Sequence, residues 1–240
     1  MQTFDYAKRC SACQFPEKYC ATYIGPRFQA DSKRKIFFIG LDSGCDGNGE
    51  LCAGAWQESV LCNYREDEVP WNWHYKACIA ITSDIHGLSC QTGCKEKCSG
   101  NSAELCALTH FAQGNAVKCV HPGSRTKEFK QQHLISSCLS LAALEVNDLQ
   151  ADIIILQSPQ IEDRFYELMR EFGAFSEETE CSGVFTCKTT HKQSIVITTI
   201  HPSSWWRKRR FASFEAYLED HIGPRLRIVH DFLDRAGREL

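Results

Sequence analysis

Short uninterrupted apolar runs alternate along the chain with longer stretches in which apolar residues recur every three or four positions. The runs KIFFIGL (35–41), ALTHFA (107–112), DIIILQ (152–157) and SIVITTIH (194–201) are mostly β-branched or aromatic. They predict four buried strands. Helical spacing marks the segments between them. One helix is predicted over 71–88, starting after Pro70 and stopping near Gly87, and another over 128–146. A third covers 161–173 and ends at a glycine; a fourth covers 213–237, with an interruption near Gly223 and Pro224. Strands alternating with helices imply an α/β fold with a short, mainly parallel central sheet covered on both faces. There is no internal repeat or low-complexity linker. The polar, cysteine-rich segment 89–106 reads as an insertion within a single domain spanning 1–240.

Composition narrows the possible partners. The 240 residues are 43% apolar, enough to bury a full core. Net charge is −3, so overall charge cannot hold a polyanion and any such contact needs a local patch. One stretch has that character: VITTIHPSSWWRKRR (196–210), where two tryptophans precede four basic residues. The opening MQTFDYAKRC lacks the basic-then-apolar layout of a signal peptide. No apolar run reaches the roughly 18–20 residues that cross a bilayer. The expectation is a soluble, cytoplasmic protein that makes no membrane contact and acts as a monomer.

In a sheet of this kind ligands bind at the carboxyl ends of the strands. The loop after the first strand, GLDSGCDGNG (40–49), offers Gly40 and Gly44 for close backbone approach, with Asp42 at the strand tip. QGNAVKC (113–119) offers Asn115, whose amide can pair with a planar polar edge. The fourth strand delivers His201. Each has a plain alternative: Asp42 as a turn former, Asn115 as loop chemistry, His201 as a capped histidine, the tryptophans as core and the basic run as a solvated surface.

Fifteen cysteines, an odd number in a long chain without an export signal, argue against a disulfide framework and for thiolate metal binding. Cys10 and Cys13 form a C-x-x-C pair, and Cys119 and Cys138 complete a set of four. Four thiolates suit a [4Fe–4S] cluster and also suit zinc. Cys90, Cys94, Cys98 and Cys106 in the insertion offer a possible second metal site, although their spacing fits no common zinc ribbon; reduced structural thiols are the alternative. Isolated cysteines such as Cys62 and Cys78 fit the role of small buried apolar residues.

Together these motifs resemble the uracil-DNA glycosylase superfamily, and within it the iron–sulfur uracil-DNA glycosylases. The matching elements come in family order: CSAC (10–13), FFIGLDSG, the AVKC segment running to the cysteine at 138, and TTIHPSSWW. They cover most of the chain except 45–106 and 174–190. The resemblance implies a three-layer α/β/α sandwich, DNA as partner and hydrolytic release of uracil or a related altered pyrimidine from a flipped nucleotide. Asp42 would stabilise the sugar cation and orient water, and His201 would hydrogen-bond the base carbonyl as charge develops. Asn115 would read the base edge, with Gly40, Leu41 and Cys52 lining the pocket. Ser203, Ser204, Trp205, Trp206, Arg207, Lys208, Arg209 and Arg210 would contact DNA, one tryptophan as the wedge (Trp206 slightly favoured) and the basic run on phosphates. Cys10, Cys13, Cys119 and Cys138 would hold the cluster.

Two departures bear on the substrate. The iron–sulfur members carry their acidic residue one place earlier, where this chain has Leu41, which shifts the catalytic role to Asp42. The family's stacking Phe is replaced by Cys52 in GELCAG (49–54), leaving Trp56, Tyr64 or Trp73 as the platform, or a rebuilt pocket. A rebuilt pocket fits excision of a bulky hypermodified cytosine in anti-phage defence. A non-catalytic nucleic-acid-binding protein on the same scaffold is the remaining alternative.

Overall fold

The computed structural model describes residues 22–29, 34–40, 73–88, 107–116, 131–171, 176–178, 181–188, 192–201 and 210–236. The insertion at 89–106 therefore lies outside the described residues. A seven-stranded sheet forms the middle layer, with strands β1 (Tyr23–Ile24), β2 (Ile36–Gly40), β3 (Phe111–Asn115), β4 (Ile153–Leu156), β5 (Ser176–Glu178), β6 (Val184–Lys188) and β7 (Gln193–Thr198). Their order across the sheet is β1-β3-β2-β4-β7-β6-β5. The four central strands β3, β2, β4 and β7 are parallel; β1, β6 and β5 add antiparallel pairs at the edges.

Apolar runs become central strands because both faces of these strands are covered. Ile36 to Ile39, Ile153 to Leu156 and Ile195 to Ile197 are all buried. Alternation divides them between two cores. Ile36, Phe38, Phe111, Ile153, Ile155, Ile195 and Ile197 meet helix α1 (Trp73–His86) and the C-terminal helix. Phe37, Ile39, Ala112, Ile154, Leu156 and Val196 meet α2 (Gln131–Leu149) and α3 (Glu162–Glu171). Helix, sheet and helix thus form the three layers expected of the α/β fold.

The element boundaries bring two corrections and one refinement. The expected strand over 107–112 is a 3-10 turn at Ala107–Thr109 followed by β3, because the strand continues through Gln113, Gly114 and Asn115, which carry no apolar signal. The antiparallel strands β5 and β6, with polar SEE and mixed VFTCK sequences, were not expected from the apolar pattern. The C-terminal helix is interrupted next to Gly223 as expected, but by a change of helix type and not by a break. Helix α4 (Phe214–Ala216) runs through a π-helical segment, Tyr217–Ile222, into α5 (Gly223–Ala236). Within it the Gly223 amide donates five residues back to Leu218 O. A wide turn immediately before the proline accommodates a residue that has no amide proton to give.

The end of α1 does follow the expected stop. Gly87 adopts φ +64, its amide donates to Asp84 O at 3.2 Å, and Leu88 N donates to Ser83 O at 2.8 Å. This is a Schellman closure that needs a left-handed residue at Gly87. None of the helices among the described residues is long and apolar enough to cross a membrane. Phe38 lies fully buried in the α1-side core, edge-on to Phe111 with centroids 5.1 Å apart. Replacing it with alanine should cost about 3–5 kcal/mol, measured by urea unfolding, because the two close-packed layers cannot collapse into the cavity.

Candidate functional site

Register across the parallel strands assembles the site. Gly40 lies opposite Asn115 at the carboxyl end of the β2–β3 pair. The next strand continues this row, since Gln157 N donates to Ile39 O at 2.9 Å. Thr199 extends it again, donating its amide to Leu156 O at 2.8 Å. Side chains alternate along a strand, so Asn115, Gly40, Gln157 and Thr199 share the face of Phe111, Phe38, Ile155 and Ile197, beneath α1.

Gly40 makes room for its neighbours in this row. A Cβ there would lie 2.9 Å from Asn115 Oδ1 and 3.9 Å from Gln157 Oε1. The Asn115 amide thus packs directly against Gly40, where any side chain would clash, with the Gln157 amide beside it. Both are buried, Asn115 at 4% and Gln157 at 1% exposure. Gln157 Nε2 donates to Cys78 Sγ on α1 at 3.3 Å, while among the described residues Gln157 Oε1 has no partner. A buried carbonyl oxygen left in that state carries a desolvation penalty that a hydrogen-bond donor on a ligand would relieve. Burial pushes the Cys78 thiol up to about 12, so it serves Gln157 as a neutral group and not as a thiolate nucleophile.

His201 joins this row from the loop after β7. Its ring stacks on that of His74 in the first turn of α1, with centroids 5.2 Å apart and planes within 17°. His74 Nε2 in turn lies 2.5 Å from Nε2 of Gln113, one step below Asn115 on the same face. With the amide donating, the neutral imidazole carries its proton on Nδ1. Burial, then the neighbouring His201 charge, hold the His74 pKa down to about 3, against a raising contribution from the Gln113 contact. Burial and the neighbouring imidazole both disfavour the cation, so His74 is a neutral ring in the site.

The backbone leading to His201 is held by the C-terminal helix. Ile200 N donates to His221 Nε2 at 3.0 Å, and Tyr217 Oη donates to Ile200 O at 3.0 Å. Arg225 Nε donates to Thr198 O at 3.0 Å and its Nη1 to His221 O at 2.7 Å. Burial, followed by the charges of Arg225 and Arg210, lowers the His221 pKa to about 4, which keeps its ring a neutral acceptor for Ile200.

Of the residues expected from the sequence, Gly40, Asn115 and His201 lie at this one end of the sheet. Arg210 is exposed, and its charge reaches His221. Cys138 is buried in α2, at 2% exposure. Asp42, Leu41, Cys52, Ser203, Ser204, Trp205, Trp206, Arg207, Lys208, Arg209, Cys10, Cys13 and Cys119 lie outside the described residues, as do Cys90, Cys94, Cys98 and Cys106. Among the described residues, no three His, Cys, Asp or Glu side chains form a metal-binding group. Sequence reasoning missed Gln157, Gln113, His74, Cys78, Tyr217 and His221. Gln157 and Gln113 were within reach of a parity count along β4 and β3; the others arrive through helix packing, which leaves no local signal.

The opposite, amino end of the sheet is built differently. There Asp152 receives the Lys35 amide at 2.8 Å and the Lys192 ammonium at 2.7 Å, an ion pair that joins β4 to the start of β7. Polar groups at that end satisfy one another, while at the carboxyl end Gln157 Oε1 and Gln113 Oε1 have no partner among the described residues.

The two depressed histidines give a pH signature. Between about 6.5 and their folded values the unfolded chain binds more protons, so the native state loses stability as pH falls through that window. The stabilisation is complete above about 6.5 and is lost on the way down to about 4 for His221 and about 3 for His74. Urea unfolding at a series of pH values should show a shallower loss in His74→Gln than in the wild type; parallel curves would contradict this account. Neither models of known protein families nor the sequences of curated proteins match the chain, so its role is inferred from its own residues.

Proposed function

We propose that this protein is a monofunctional DNA glycosylase that flips out uracil or a related altered pyrimidine and hydrolyses its N-glycosidic bond. One observation carries the reading. Two buried amides, those of Asn115 and Gln157, meet beside Gly40, and His201 is delivered to the same end of the sheet. Paired amides match the alternating donors and acceptors of a pyrimidine edge.

In the proposed reaction water attacks C1′ of the flipped nucleotide while the bond from C1′ to the base nitrogen breaks. The bonding electrons leave with the base and spread to its ring carbonyl. A hydrogen bond from His201 stabilises that charge, and Asp42, two positions beyond Gly40 in the chain, takes the proton from water. The released base is then protonated by solvent. Asn115 fixes the base edge, and the Trp205–Trp206 pair with Arg207 to Arg210 fills the vacated gap and holds phosphates. Such a protein works in the cytoplasm as a monomer on DNA.

Cys10, Cys13, Cys119 and Cys138 would hold a [4Fe–4S] cluster as a structural element, with zinc as the competing occupant. The donor chemistry fits either, and Cys138 is a buried thiol in the helix that covers the face opposite the site. When bound, the group ties separate segments together and takes no part in base release. Anaerobically purified protein should contain iron with broad visible absorbance, lost in Cys138→Ala; stoichiometric zinc without iron would assign the site to zinc.

A second substrate reading is a bulky altered cytosine: Gln157 Oε1, which has no partner among the described residues, accepts from a cytosine exocyclic amine as readily as from the N3–H of uracil. Mass spectrometry of the base released from a panel of modified DNAs separates the two. In the same assay Asp42→Asn and His201→Ala should each lower single-turnover release by about 10²–10⁴-fold while DNA binding is retained. Full activity in both variants would refute the assignment, and binding without any abasic product would favour a non-catalytic role.

A further inference from the structure

We propose that His221 and Tyr217, on the π-helical turn of the C-terminal helix, are positioning residues that aim His201 into the site. This rests on the glycosylase reading for its kinetic consequence, although not for its geometry. Beyond Thr198 the chain has left the strand, and its backbone needs other partners. Thr199 N still reaches Leu156 O. At Ile200, the residue immediately before His201, both backbone groups turn to the C-terminal helix. The amide goes to His221 and the carbonyl receives the Tyr217 hydroxyl, each at 3.0 Å.

Both residues stand on the π-helical turn, four apart, a spacing that places them on one side of the helix and lets both side chains reach Ile200. Their rings lie 5.5 Å apart, and Phe211 packs against both. Arg225 locks the turn from the other side by bonding both His221 O and Thr198 O. Its third contact, Nη2 to Ser182 O at 3.1 Å, ties the assembly to the chain just before β6. Fixing both polar atoms of Ile200 sets the direction in which the next side chain leaves the backbone. That direction sends the His201 ring onto His74.

His221 is thus an acceptor by function, and only a side chain with an acceptor at the reach of Nε2 replaces it. Glutamine has that reach; alanine does not. The test uses full-length protein with two readouts. For His221→Ala, single-turnover base release should fall about 10–100-fold with little change in KM, since displacement of a reacting group acts on the chemical step. His221→Gln should recover most of that loss, and Tyr217→Phe, which removes only the donor, should show a smaller one. Independently, ring signals of His201 in histidine-labelled protein, assigned from His201→Ala, should shift in His221→Ala and return in His221→Gln. Unmoved His201 signals in both His221→Ala and Tyr217→Phe, or a glutamine variant as slow as alanine, would overturn the proposal. If the wild type releases no base from any DNA, the glycosylase reading fails and the ring signals alone decide the positioning role.

Discussion

Everything at the candidate site depends on the in-register pairing of four parallel strands. Hydrogen bonds from Gln157 N to Ile39 O and from Thr199 N to Leu156 O carry the β2–β3 register across to β4 and β7. A parallel strand slipped by one residue would turn Gln157 or Thr199 to the other face. The two close-packed cores oppose such a slip, because exchanging Phe38 for Ile39 or Phe37 for Ile36 would misfit side chains of different shape in each. Stability and chemistry are therefore linked by the same ladder: the residues that fill the two cores also determine which amides meet above them.

The two ends of the sheet show how one fold separates structure from function. At the amino end a carboxylate, an ammonium and a backbone amide satisfy one another around Asp152. At the carboxyl end Gln157 Oε1 and Gln113 Oε1 have no partners among the described residues, and burial holds the His74 pKa down to about 3. Buried acceptors without partners are costly for a folded chain alone, and they make sense where a polar ligand enters. Cys78 contributes as a neutral thiol that orients an amide, a use of cysteine quite different from metal binding.

The sequence made the scaffold legible where burial is two-sided. Ile153 to Leu156 and Ile195 to Ile197 carry a continuous apolar signal because nothing else survives between two cores. β5 and β6 do not: β5 is the edge strand and keeps polar residues, and in β6, one strand in from the edge, Thr186 and Lys188 read as loop. At the site, Gly40, Asn115 and His201 were marked by motif order along the chain. Gln157 sits directly after a strand that was recognised, but its partners Cys78 and Gly40 are 79 residues and a whole strand away. His221 was hidden for a different reason: a helix interrupted near Pro224 gives no hint that its upstream turn widens to face the β7 loop.

That widened turn is, in terms of chain length, an α-helix carrying one residue too many. Removing a single residue between Tyr217 and Ile222 would let the segment relax to ordinary α-helical hydrogen bonding without disturbing the composition of the core. The flanking helical segments would keep their relative phase, because the widened turn holds one extra residue in the same stretch of helix, so the change would be confined to the turn. A deletion between Tyr217 and His221 would bring them from four residues apart to three, and their reach to the amide and carbonyl of Ile200 would change. The helix would be more regular, and the two anchors of the loop that carries His201 would be respaced.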